Sequence, residues 1–188
     1  PPHSYSSAAS DVYKRQLTHD GGLTAIRIEG PVNSVDQRLN RLSKELSLLD
    51  QEFSILDNEQ SFIFWSRTKN LEVFKSLKSN LLRIVLPISE TLLVIQKLKN
   101  FEIKYFIDWG GSLIWASLDQ LNTKILSEIR DIVKKHQGYI TLIKVEEDLK
   151  ASADIFTIDP IKYKISEKIK RSFDPKRIFN PGKMYTGI

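Results

Sequence analysis

Between Asn80 and Val145 the hydrophobic period changes from segment to segment, and that succession most limits the folds open to this chain. Asn80 to Leu86 reads as a strand and is closed by Pro87, which cannot continue it. Ser89 is then placed to cap a helix whose Leu92, Ile95 and Leu98 fall on one face. Lys104 to Asp108 is a second strand. Gly110-Gly111 is a turn signal, and Ser112 to Leu118 returns as the other arm of a hairpin. Leu121, Ile125, Ile129 and Ile132 repeat at helical spacing. Lys134-Lys135-His136 lies in the last turn of that helix, where the exposed carbonyls are the expected partners of His136, and Gly138 follows as C-cap. Tyr139 to Val145 is a final strand.

A shorter unit precedes this one. In Leu23 to Glu29, Thr24, Ile26 and Ile28 alternate with Ala25 and Arg27, the pattern of a half-buried strand ended by Gly30-Pro31. Ser34 and Gln37 have the spacing of a capping box, and Val35, Leu39, Leu42, Leu46 and Leu49 mark an amphipathic helix. Gln51 to Leu56 is expected to be a short strand, and Asn58 to Phe74 is expected to be helical. The order strand–helix–strand, then strand–helix–strand–strand–helix–strand, predicts an α+β fold of ferredoxin-like type: a mainly antiparallel sheet with helices on one face. Asp159-Pro160 opens a further helix, with Ile161, Ile165 and Ile169 inward, and a tail of turn residues follows.

The two ends stand apart from this core. Pro1 to Gln16 has no apolar periodicity and no hydrophobic stretch after a basic start, so it is not a signal peptide. It resembles translated adapter sequence and is expected to be foreign to the fold, with the natural protein extending upstream of Leu17. The expected division is 1–16 as a non-native tail, 17–158 as the α+β domain and 159–188 as the C-terminal helix and tail. The formal net charge is +5. From Asp159 to Ile188 there are eight Lys or Arg and three Asp or Glu, so the C-terminal segment carries the whole excess. Such a segment suits a phosphate-bearing cofactor, an acidic partner, an anionic surface or plain solvation.

Much chemistry is excluded at this level. The chain has no cysteine, which removes disulfides, thiolate zinc, iron–sulfur ligation and thiol nucleophiles. Gly21-Gly22 and Gly110-Gly111 lack the spacing of phosphate-binding loops, and no histidine pair has metal spacing. No strand carries the glycine-and-aromatic pattern of RNA-binding sheets, so nucleic acid is not expected as a partner. No apolar run approaches the length of a transmembrane segment. What remains is an open sheet face. Strand alternation sends Arg27 and Arg83 away from the helices, where two guanidinium groups would suit a substrate carboxylate, unless Glu29 or Asp108 pairs with them or water solvates them. Tyr105, Phe106, Trp109 and Trp115 gather in the hairpin, where a core role is the ordinary one and contact with a flavin or partner the alternative.

The C-terminal stretch has the most specific composition. Phe173-Asp174-Pro175, Ile178-Phe179 and Asn180-Pro181-Gly182-Lys183 set a rigid path, with Ile178 and Phe179 as its apolar anchors. This ending resembles that of FAD-linked oxidases of the vanillyl-alcohol oxidase type. Arg27-Ile28-Glu29-Gly30-Pro31 with Ser34-Val35, Phe64-Trp65, and Ile107-Asp108-Trp109-Gly110-Gly111 with Trp115 resemble, more narrowly, the E-subunit family of glycolate oxidases.

The resemblance covers about Leu17 to Ile188. It implies a cap domain over the isoalloxazine of FAD, most of the cofactor being held by a flavin domain upstream. It also implies oxidation of a small 2-hydroxy acid such as glycolate, and a complex with a second flavoprotein subunit and an iron–sulfur subunit. The location implied is cytoplasmic, peripheral at the inner face of the membrane through that complex. On this reading Asn180 contacts the cofactor or the backbone holding it, and Lys183 or Arg177 opposes its pyrophosphate; otherwise the Asn-Pro-Gly run is only a tight turn. The alternatives are an independent FAD-linked oxidase of another acid, such as D-lactate, and a non-catalytic binding or assembly module.

Overall fold

The structure, a computed structural model, describes residues 14–18, 23–50, 52–75, 80–157, 159–182 and 185. Its centre is β3 (Asn80–Val85), α3 (Thr91–Leu98), β4 (Lys104–Asp108), β5 (Leu113–Leu118), α4 (Thr123–Lys135) and β6 (Tyr139–Lys144). Ahead of it come β1 (Lys14–Thr18), β2 (Thr24–Arg27), α1 (Val32–Leu48) and α2 (Asn58–Lys69); after it come α5 (Glu147–Ser152) and α6 (Pro160–Phe173). The sheet runs β2-β1-β4-β5-β3-β6, and every pairing is antiparallel. The fold is α+β, with the βαββαβ order that the periodicity implied.

The core lies between the sheet and α3 with α4. Alternation puts Leu82 and Ile84 of β3, Ile114 and Ala116 of β5 and Ile140 and Leu142 of β6 on one face. Val94, Ile95 and Leu98 of α3 and Leu126, Ile129 and Val133 of α4 meet them in a single cluster. Each of these helical side chains is no more than 3% exposed. Burial on that scale contributes roughly 1.5–3 kcal/mol per large aliphatic side chain. At the end of α4, Gly138 runs so close to β3 that a Cβ would come within 2.9 Å of Leu86 Cβ and of the Val85 carbonyl oxygen.

The opposite face is not bare. Phe74, in the 3-10 turn Glu72–Phe74 after α2, stacks on Phe106 with ring centroids 5.7 Å apart. Leu81 is buried with this pair, and Leu71 and Trp115 pack against it. Helices on one face therefore describes α3 and α4, while a second, smaller apolar cluster covers part of the other face.

Several local expectations change. No strand forms at 52–56; the segment is irregular and exposed, and makes no pairing in the sheet. The first capping box is not at Ser34, which lies inside α1; the one that forms is Asp57 with Gln60, at the start of α2. Ser89 falls in a 3-10 turn and makes no cap bond to α3. Leu92 is 65% exposed, and Val94 takes its place in the core. Of the segment 1–16, residues 1–13 lie outside the described residues, but Lys14 to Gln16 fall within β1. The boundary at Gln16 thus cuts a strand, because β1 is what joins β2 to the rest of the sheet through β4.

Candidate functional site

Register shows how the two sheet arginines lie. Arg83 pairs with Trp115 on one side and Thr141 on the other, and Trp115 pairs with Phe106. Paired residues share a face, so Arg83 stands with Phe106 and Trp115, away from α3 and α4. Arg27 reaches the same face through the backbone pairings Arg27–Lys14 and Thr18–Phe106. Three strands separate β2 from β3, however, so the two backbones are about 19 Å apart across the sheet at the usual strand spacing. The structure does not bring Arg27 and Arg83 onto one carboxylate.

Their surroundings differ as well. Arg27 is ion-paired to Glu29 and lies over the Trp65 ring at 5.8 Å. Arg83 lies over the Trp109 ring at 4.8 Å, and no carboxylate among the described residues pairs with it. Asp108, a candidate partner from the sequence, instead accepts the Trp109 backbone N–H at 2.7 Å. Stacking of this kind is worth about 0.5–1 kcal/mol when solvent has access. A stacked guanidinium keeps its in-plane N–H donors and so remains able to bind an anion in a fork. The hairpin aromatics divide accordingly: Phe106 is buried and Tyr105 and Trp115 are partly buried, but Trp109 is 58% exposed.

One carboxylate braces the first turn of the tail, and further on the buried Tyr185 packs on Phe156 and on Tyr163 of α6. Asp174 is 6% exposed and accepts the backbone N–H groups of Ile178 and Phe179, each at 2.9 Å. Lys170 Nζ lies 2.7 Å from the same group. The Lys170 ammonium first, then the two backbone donors, lower the Asp174 carboxyl to about 2 against the partial desolvation that raises it. Lys170 also donates to the Phe179 carbonyl. Among the described residues Ile178 and Phe179 have nothing to anchor on: they are 66% and 67% exposed, since no described element lies over them. Arg177 and Asn180 hold left-handed backbone conformations with φ of 52° and 46°. Both side chains are exposed and have no hydrogen-bond partner among the described residues. A guanidinium and an amide on one braced loop fit a phosphate edge in donor chemistry. Lys183 lies outside the described residues.

The apolar stripe of α6 is likewise reversed from expectation. Asp159 caps the helix by accepting from the N–H groups of Ile161 and Lys162. Yet Ile161, Ile165, Ile169 and Phe173 are 69%, 53%, 54% and 83% exposed. These four repeat every fourth residue, so one uncovered stripe runs the length of the helix towards Ile178 and Phe179.

A polar network escaped the sequence. His136 is not turned to the helix-end carbonyls. Its Nδ1 lies 2.6 Å from a Glu90 carboxylate oxygen and its Nε2 lies 2.8 Å from Lys97 Nζ, so it ties the end of α4 to α3. Among the described residues no group of His, Cys, Asp and Glu is placed to hold a metal, and no helix is long and apolar enough to cross a membrane.

Comparison with known proteins agrees with the motifs. The chain is similar to the glycolate oxidase subunit GlcE of Escherichia coli (strain K12), with 28% identity over 128 residues. The matched stretch is 66% of this chain and 32% of that protein, so the chain spans about a third of the length of this relative. No protein-family model and no solved structure matches the chain.

Proposed function

We propose that this chain is the cap portion of a glycolate oxidase-type flavoprotein subunit, and that most of the cofactor site lies in a flavin domain outside it. One observation carries the reading beyond the similarity to GlcE: α6 and the tail are held in a defined shape while their apolar side chains stay uncovered. A tail braced by a buried, ionised Asp174 is not fraying. Covering Ile161, Ile165, Ile169, Phe173, Ile178 and Phe179 would contribute roughly 1–2 kcal/mol each at their present exposures. A second domain of the same protein suits that surface, the stretch matched in the relative being only 32% of its length.

In this arrangement FAD supplies the hydride acceptor for oxidation of a 2-hydroxy acid, glycolate in the first instance. Arg177 and Asn180, together with Lys183, meet the phosphate edge of the cofactor. Arg83 presents a guanidinium on the sheet face turned away from α3 and α4. Electrons leave for a second flavoprotein subunit and an iron–sulfur subunit, this chain having no cysteine to hold a cluster. The assembly works in the cytoplasm, at the inner face of the membrane.

Flavin titration tests the reading. A full-length natural protein that includes the upstream domain is expected to retain FAD through gel filtration. The present chain is expected to bind it weakly or not at all and to oxidise nothing. Tight FAD binding by this chain, or a flavin-free full-length protein, overturns the assignment. In the full-length protein Asn180→Ala is expected to lower flavin content.

A further inference from the structure

We infer that Arg83 and Trp109 form a one-point anchor for the carboxylate of a small monocarboxylic acid, with Trp109 as the residue that positions the guanidinium; the identity of the acid as a 2-hydroxy acid rests on the oxidase reading above.

The backbone is the first ground. Trp109 has φ of 54°, followed by Gly110 at 62° and Gly111 at 112°. The left-handed region costs an L-residue more than glycine, and here a Trp occupies it beside two glycines. Burial does not offset that cost, because Trp109 is 58% exposed. Its notable contact is the Arg83 guanidinium at 4.8 Å. Strain retained at an exposed aromatic points to a role for its placement.

The second ground is how firmly the turn is set. Asp108 accepts the Trp109 N–H, and Ser112 Oγ donates to the Trp109 carbonyl at 3.1 Å. Thr91 Oγ1, at the start of α3, donates to the Gly111 carbonyl. Ile88 lies so close to Gly111 that a Cβ there would meet it at 2.8 Å. The turn that carries the indole is therefore fixed relative to both the hairpin and α3.

The third ground is the state of the cation. Arg83 is half-buried, and neither a carboxylate nor any hydrogen-bond acceptor among the described residues engages it. Arg27, on the same face, is already neutralised by Glu29 and too distant to help. One guanidinium with no acceptor among the described residues, with the Thr141 hydroxyl on the neighbouring strand and Trp115 on the other side, offers a single fork of donors. That suits a small monoanion better than a dicarboxylate or a phosphate ester.

The test is a nitrogen-15 NMR titration of the full 188-residue chain with sodium glycolate, ionic strength being held constant with sodium chloride. It follows the arginine Nε–H and tryptophan indole N–H signals, with that of Arg83 assigned by its loss in Arg83→Lys. The Arg83 and Trp109 signals are expected to move together and saturate with a dissociation constant of about a few millimolar, while the Arg27 signal stays still. Arg83→Met should weaken binding about tenfold or more. Trp109→Ala should weaken it about threefold to tenfold with backbone amides elsewhere unmoved, and Trp109→Phe should restore it. The anchor is overturned by an equal shift at Arg27, by the same response to chloride alone, or by full binding in Arg83→Met. Its failure is separable from failure of the oxidase reading, because the titration needs no flavin and the flavin titration needs no carboxylate.

Discussion

Helix α4 sets Leu126, Ile129 and Val133 against the sheet with at most 2% of each exposed, whereas α6 sets Ile161, Ile165 and Ile169 into solvent with more than half of each exposed. Both helices have a polar N-cap, Asn122 in one and Asp159 in the other, and both carry an apolar stripe at helical spacing. Their surroundings make the difference. α4 is a crossover between β5 and β6, so the chain itself delivers it onto the sheet. α6 follows the last named strand and is tied to the tail by Lys170 and Asp174 at its C-terminal end and by Tyr163, which packs on the buried Tyr185. A stripe shows that a face is made to be covered; connectivity decides whether the same chain covers it.

The comparison breaks first at the α4 core. Ile129→Ala removes a side chain with no exposure from the main cluster and is expected to cost about 2–5 kcal/mol, read from the urea midpoint at constant slope. A loss below about 1 kcal/mol would mean that α4 is no better seated than α6. Next comes Gly138→Ala, where the added methyl meets Leu86 and the Val85 carbonyl oxygen. The expected cost is about 1–3 kcal/mol, and an unchanged midpoint would show that the end of α4 has room to move.

The tail should respond locally rather than globally. Because the Asp174 carboxyl is lowered to about 2, its contribution is complete above the ordinary carboxylate value and fades as pH falls through about 2. Hydrogen exchange at the Ile178 and Phe179 amides should quicken, relative to intrinsic rates, only at the acid end of that window. Asp174→Ala should remove their protection at neutral pH while leaving the β3 and α4 amides protected. Loss of protection in β3 as well would make the tail part of the core.

Which features were legible follows from the same contrast. Strands β3 to β6 were readable because alternation and turn residues are local signals, and the sheet then fixed which side Arg83 takes. That Arg27 and Arg83 stand far apart was not readable, since strand order places β1, β4 and β5 between them. The Glu90–His136 contact joins residues 46 positions apart, and nothing in either neighbourhood announces it. Trp109 was noticed among the hairpin aromatics, but its left-handed backbone, the feature that sets it apart, shows only in three dimensions. Ser34 and Gln37 illustrate the reverse case: the right residue types at capping-box spacing fell inside α1, and Asp57 with Gln60 formed the box instead.

The smallest effect separates the two helices most sharply. Ile165→Ser and Ile169→Ser each replace a side chain that is already more than half exposed, so the isolated chain should lose no more than about 0.5 kcal/mol. The same changes at Leu126 or Ile129 would bury an unsatisfied hydroxyl and leave a cavity. In a full-length protein the expectation reverses if the flavin domain covers α6. There Ile165→Ser should cost about 1–2 kcal/mol of interdomain stability and lower retained FAD, because apolar area removed from water in the natural protein is no longer gained. Paired denaturation curves, with and without the upstream domain, give the answer. A penalty in the isolated chain means that α6 is held by its own domain after all. No penalty in either form means that the stripe is solvent-facing throughout and that the flavin domain, where present, docks elsewhere.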